Sequence, residues 1–254
     1  IRRSEDNGDT WEPIQVLVDY PGRGDEGSAA CDPAMLQDSD TGTIWMIFNH
    51  TPAGIGLWNS KPGVGFDRDG YKKLYDRDGN EFTLREKGIV YNDKMEETGL
   101  SVADDGSVYR GNEIIGNIYL KDGPLLEART SFLQAIKSDD DGLTWSSPID
   151  LNYQVKEEWM GFIGAGPGVG IQLTKRKYAG RLVFPIYFNN GEGGRMSCCT
   201  IYSDDHGNTW HRGKSPNDGR VFKGKKIDAK TVSQVEAELT ECQVIELDNG
   251  DLKI

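Results

Sequence analysis

Short apolar runs separated by turn residues dominate the chain, and helical periodicity is almost absent. Ala34-Met35-Leu36-Gln37 and Thr43-Ile44-Trp45-Met46-Ile47-Phe48 flank Asp40-Thr41-Gly42. Gly170-Ile171-Gln172-Leu173 and Arg181 through Tyr187 flank Tyr178-Ala179-Gly180. Val244-Ile245-Glu246-Leu247 and Leu252-Lys253-Ile254 flank Asp248-Asn249-Gly250-Asp251, whose Asn-Gly step suits a tight hairpin turn. Each pair predicts an antiparallel hairpin, so the expected class is all-β.

One pattern recurs three times. Ser4 to Trp11, Ser138 to Trp145 and Ser203 to Trp210 each read S-x-D-x-G-x-T-W. The Asp can accept backbone N–H groups inside its own turn, and the Gly permits positive φ at the bend. The Trp is expected to return to the core on the next strand. A strand-like run precedes the second and third copies, Phe132 to Ile136 and Cys199 to Tyr202, and Pro148-Ile149-Asp150-Leu151 follows the second. A hairpin that recurs once per repeat of four short strands predicts β-propeller blades. The spacing gives the end of one blade at 1–20, a second at about 28–152, a third at about 159–215, and the first half of a fourth. The second blade is long because residues 55–126 interrupt it as a small β-rich lobe, leaving propeller at 1–54 and 127–254. Asp67-Arg68-Asp69-Gly70 and Asp76-Arg77-Asp78-Gly79-Asn80 fail calcium-loop spacing and read as hairpin turns. A propeller closes its ring to hide its end blades, so the chain reads as a stretch of a longer protein.

Composition narrows the function. With 29 basic and 41 acidic side chains the net charge is −12, which disfavours a nucleic-acid partner. No apolar run approaches the roughly 18 residues of a membrane-spanning helix. Cys31, Cys198, Cys199 and Cys242 form no CxxC pair and read as small core residues, with Cys198 and Cys199 pointing to opposite faces of a strand. His50, His206 and His211 show neither metal-ligand spacing nor a catalytic triad, and no cofactor or metal is expected.

The three turns are Asp-boxes, and the chain resembles bacterial sialidases (neuraminidases). The resemblance is carried by Ile1 to Gly8, Gly164 to Gly170, Pro185-Ile186-Tyr187, and Thr240-Glu241-Cys242 with Leu247 to Asp251, in order and at similar spacing. It is to large secreted sialidases of Gram-positive bacteria. It implies a six-bladed propeller, of which about two and a half blades lie here, with the inserted lobe near the active-site mouth. It also implies a retaining exo-glycosidase secreted or held at the cell surface, with sialylated glycans and the rest of the ring as partners. Such enzymes use a Tyr nucleophile. The substrate carries a carboxylate beside the reacting carbon, which would repel an Asp or Glu nucleophile. A Glu then takes the phenolic proton, an Asp serves the leaving oxygen, and three Arg clamp the carboxylate.

Carried onto this sequence, the resemblance makes Glu241 the residue that activates the nucleophile. Asp32 contacts the sugar on its O4 and N-acetyl side, Tyr187 gives an aromatic sugar contact, and Trp58 lines the pocket mouth. Glu236 and Glu238 are the neighbours most easily mistaken for Glu241. The nucleophile, the acid/base Asp and the arginine triad match nothing in this stretch, which alone would not turn over substrate. Other readings are an intramolecular trans-sialidase releasing an anhydro sugar, a propeller that binds glycans without catalysis, and a hydrolase of neutral polysaccharide.

Overall fold

The computed structural model describes residues 1–254, almost entirely as strands and turns. Strands β1 (Ala29–Gln37) and β2 (Ile44–Thr51) form an antiparallel hairpin. The chain then leaves the blade for a lobe made of β3 (Lys72–Tyr75), β4 (Glu81–Leu84), β5 (Ile89–Asn92), β6 (Glu97–Val102), β7 (Ser107–Arg110), β8 (Glu113–Asn117) and β9 (Leu126–Glu127). These pair in a seven-stranded sheet, ordered β8-β7-β6-β5-β4-β3-β9. The chain returns as β10 (Phe132–Ser138) and β11 (Ile149–Asp150), which complete the first blade in the order β11-β10-β2-β1.

A one-turn helix, α1 (Asn152–Val155), leads to β12 (Ile163–Ala165), β13 (Gly168–Val169) and β14 (Ile171–Gln172). Next come β15 (Leu182–Asn189), β16 (Met196–Ser203) and β17 (His211–Arg212). The second blade is ordered β12-β15-β16-β17, with β14 also on β15. Between them β13 swings across and pairs parallel with β1, at Ala34 with Gly168 and Met35 with Val169. One extended stretch therefore serves both blades. Two small hairpins follow, β18 (Val221–Phe222) with β19 (Lys225–Lys226), and β20 (Ile245–Glu246) with β21 (Leu252–Lys253). No helix is long and apolar enough to cross a membrane.

The S-x-D-x-G-x-T-W turns share one hydrogen-bond scheme. Asp6, Asp140 and Asp205 each accept the backbone N–H of Thr10, Thr144 or Thr209 at 2.8 Å. The Thr hydroxyl donates to the other carboxylate oxygen at 2.6, 2.6 and 2.7 Å. Ser4, Ser138 and Ser203 donate to the same Asp and accept the Gly N–H four residues on. Two successive residues adopt positive φ, namely Asn7-Gly8, Asp141-Gly142 and His206-Gly207. Asn, Asp and His are the non-glycine types that tolerate this region best, which explains the variable position before the Gly. These bonds hold Asp6 and Asp140 at a pKa of about 2, the Thr hydroxyl being the main cause.

The main core lies between the two blades. Ala34 and Leu36 of β1, and Trp45 and Ile47 of β2, meet Leu182, Phe184, Ile186 and Phe188 of β15. Trp210 closes this core, edge-on to Trp45 at 5.8 Å. Alternation is clear on β1, whereas β2 is buried along nearly its whole length because its other face packs Met46 and Phe48 against Ile136, Leu17 and Val18. Each fully buried Leu, Ile or Phe contributes about 1.5–3 kcal/mol.

Two sequence expectations change. The motif tryptophans do not share one fate: Trp210 is 2% exposed, Trp145 half-buried and Trp11 58% exposed. Trp210 alone sits between two complete sheets. The cysteines also divide. Cys199 joins the inter-blade core and Cys198 faces the other way, as strand alternation requires, but Cys31 is exposed and Cys242 half-buried. The Asp67 and Asp76 segments are turns, each Asp accepting two backbone N–H groups of its own loop.

Candidate active site

Asp32 sits where β1 is interrupted. The pairing register with β2 shifts between Cys31 and Ala34, and Asp32 takes φ 53°. This local bulge, next to Pro33, turns the carboxylate away from the regular ladder. Asn49, paired with Cys31 on β2, donates its Nδ2 to Asp32 Oδ2 at 2.9 Å.

Tyr187 lies on β15, opposite Gly164 on β12 and Cys198 on β16. It is buried, with the Phe162 ring 5.4 Å away. Burial pushes its hydroxyl well above the usual phenol range, and the nearby carboxylates of Asp32 and Glu241 push it further. The carboxylates of Asp32, on the first blade, and of Glu241, on the segment after the second blade, are thus both near enough to Tyr187 to act on its hydroxyl.

Glu241 belongs to the segment that follows Leu239. That segment docks on the second blade: Leu239 N–H donates to Met196 O at 3.2 Å, and the Cys242 thiol donates to Ile186 O at 3.3 Å. Gly166 is required beneath it, since a Cβ there would lie 2.4 Å from Cys242 O. The Cys242 thiol also reaches Cys198, which draws the Cys198 pKa down and pushes that of Cys242 up. Glu241 takes φ 46°, a strained conformation of the kind that clusters at functional sites. Its carboxylate is exposed, with no hydrogen-bond or ion-pair partner in the chain. Its neighbours are engaged elsewhere. Glu236 pairs with Lys223 at 2.7 Å, and Glu238 accepts the Met196 N–H at 3.1 Å.

Trp58 stands apart. It is 63% exposed at the root of the lobe, and its indole makes no hydrogen bond. Its neighbour Leu57 packs in the apolar cluster of Tyr187, Phe162, Met196 and Cys198. The Leu57 carbonyl accepts the Asn189 amide at 3.0 Å. The structure therefore brings Asp32 and Glu241 near Tyr187, and leaves Trp58 exposed at the root of the lobe. Two clefts of about 600 and 750 Å³ lie instead where the lobe meets the blades, and neither is lined by those three residues.

Sequence reasoning missed Asn49 and Asn189. The available signal was a polar residue closing an otherwise apolar strand, as in Ile44 to Phe48 followed by Asn49.

The model for the BNR repeat-like domain matches residues 119–253, more than half of the chain. The chain belongs to the BNR repeat-like domain family. This BNR repeat-like chain is 30% identical to an anhydrosialidase of Macrobdella decora, over 99% of its own length and 37% of the relative's. It is 28% identical to sialidase B of Streptococcus pneumoniae serotype 4, over 90% of its length and 38% of the relative's. Among solved structures it resembles the intramolecular trans-sialidase of Ruminococcus gnavus, with TM-score 0.75 and 26% identity, covering 99% of this chain and 57% of that one. Its all-β blades are thus those of sialidase propellers. The chain spans well under half the length of the curated relatives named here.

Proposed function

We propose that the BNR repeat-like chain is part of a retaining exo-sialidase that releases terminal sialic acid from glycoconjugates. The convergence of Asp32, Tyr187 and Glu241, with Glu241 the only uncommitted carboxylate in its segment, carries this reading. Glu241 takes the proton from a Tyr nucleophile supplied elsewhere in the whole protein. A free carboxylate suits that task, because a salt-bridged one would be a weaker base. Asp32 accepts hydrogen bonds from the sugar on its O4 and N-acetyl side, Tyr187 lies against the ring, and Trp58 forms part of the mouth. The protein works outside the cell or at its surface, where sialylated glycans are met.

The test is the product formed by the full-length protein from 3′-sialyllactose, followed by proton NMR. Free sialic acid released first as the α-anomer is expected. No release, with binding retained, would make this a glycan-binding propeller. An anhydro sugar would mean that the substrate's own hydroxyl displaces the enzyme. That second reading draws on the exposed indole of Trp58 and on the names of an anhydrosialidase and an intramolecular trans-sialidase among the similar proteins.

A further inference from the structure

We propose that Asn49 is a positioning residue for Asp32, fixing its carboxylate toward the sugar and tying it to the second blade. The proposal rests on the reading of Asp32 as a sugar ligand. Asn49 is fully buried near the end of a strand whose preceding residues, Ile44 to Phe48, are apolar. Its side chain works in two directions. Nδ2 donates to Asp32 Oδ2 at 2.9 Å, and Oδ1 accepts the Ala165 N–H of β12 at 2.6 Å. The neighbouring Gly164 leaves room for it, since a Cβ there would lie 2.7 Å from both amide atoms.

This wiring has a physical consequence. Asp32 sits on a bulge with left-handed backbone, where the ladder does not fix its side chain. The Asn49 amide supplies the one N–H hydrogen bond to its carboxylate. That amide cannot turn over, because flipping it would aim an N–H at the Ala165 N–H and an oxygen at the carboxylate. One inter-blade contact therefore sets the orientation of Asn49, and Asn49 sets that of Asp32. A hydrogen bond to a charged group, here in a partly buried site, accounts for about a tenfold to a hundredfold change in binding when it is lost.

The experiment uses the full-length protein and 3′-sialyllactose, comparing wild type with Asp32→Ala, Asn49→Ala and the double variant. Thermal midpoints are recorded for each. Asn49→Ala is expected to raise KM about tenfold or more while kcat changes less. In the Asp32→Ala background the same substitution is expected to add little, because its effect runs through Asp32. Equal factors in both backgrounds would overturn the proposal and reduce Asn49 to a general structural contact. An unimpaired Asp32→Ala would instead sink the sugar-ligand reading, and this proposal with it.

A second variant separates the two bonds. Asn49→Asp keeps an oxygen for the Ala165 N–H but replaces the donor to Asp32 with an acid. The titratable groups around it are Asp32, Cys31, Tyr187 and Glu241. At the acid end of the activity range the new carboxyl still holds a proton to share with Asp32, so KM lies near wild type. As pH rises the two carboxylates repel, and the ratio of variant to wild-type KM climbs. A ratio that stays flat with pH would count against the proposal.

Discussion

His50 Nε2 lies 2.7 Å from Glu127 Oε2, with both side chains fully removed from solvent. His50 belongs to β2 of the first blade and Glu127 to β9 of the lobe, so the pair crosses from one sheet to the other. Lys72 of β3 completes the junction, 2.9 Å from Glu127 and 3.0 Å from Asp150 on β11. Tyr20 and Phe132 pack at a tilt against the His50 ring, with centroids 4.4 and 5.6 Å away. The lobe is thereby fastened by buried charge as well as by strand connections.

Removing one member of such a network strands the others. Lys72→Met leaves Asp150 without its cation and Glu127 with His50 alone, and is expected to destabilise the protein by about 3–5 kcal/mol. Urea unfolding followed by tryptophan fluorescence measures this. A midpoint unchanged from wild type would show that the junction contributes nothing to stability.

The same site sets an acid limit. Burial alone would push the Glu127 carboxyl up, but His50 and Lys72 outweigh it and hold the pKa at about 2, below the ordinary 4.5. A depressed folded-state value means stability that is present above the ordinary pKa and lost as pH falls toward the folded one. Asp6 and Asp140, at about 2, act in the same direction. The thermal midpoint should vary little with these groups above pH 4.5 and drop progressively from there toward pH 2. Glu127→Gln should be less stable at neutral pH and lose less on acidification, which a pH series of melting curves would reveal.

Glu241→Gln tests the proposed base. In the full-length protein it should lower kcat by about a hundredfold to ten-thousandfold. The side chain is exposed and unpartnered, so the melting temperature should stay within the small range of surface substitutions. Near-normal turnover would remove Glu241 from the mechanism.

Asp205→Ala probes the repeated turn. It leaves the Thr209 N–H, the Thr209 hydroxyl and the Ser203 hydroxyl without their acceptor. Each lost bond costs about 0.5–1.5 kcal/mol, so a loss of about 2–3 kcal/mol is expected, less where water substitutes. The turn delivers Trp210 into the inter-blade core, and its fluorescence should shift to the red if the indole loosens. A variant as stable as wild type would make the motif dispensable to the fold.

Much of the fold was legible in the sequence because its determinants are local. Eight consecutive residues contain every donor and acceptor of an S-x-D-x-G-x-T-W turn, and apolar runs such as Ile44 to Phe48 and Leu182 to Tyr187 declare strands without reference to partners. The resemblance to sialidases pointed to Asp32, Tyr187 and Glu241, but the reason they stand together was not readable. Their proximity depends on sheets pairing over long sequence distances, on a bulge at Asp32, and on residues 239–242 docking over Gly166.

By itself the sequence determined an all-β chain of repeated turns with an inserted β-rich stretch, since short-range hydrogen bonds and strand periodicity depend only on neighbouring residues. Only the tertiary structure decided which side chains those strands would bring face to face. It turned Trp210 inward and left Trp11 exposed, divided Cys198 from Cys199, buried His50 against Glu127, and set Asn49 between Asp32 and the second blade. Burial and long-range contact belong to the packed arrangement of sheets, and no window of consecutive residues contains them.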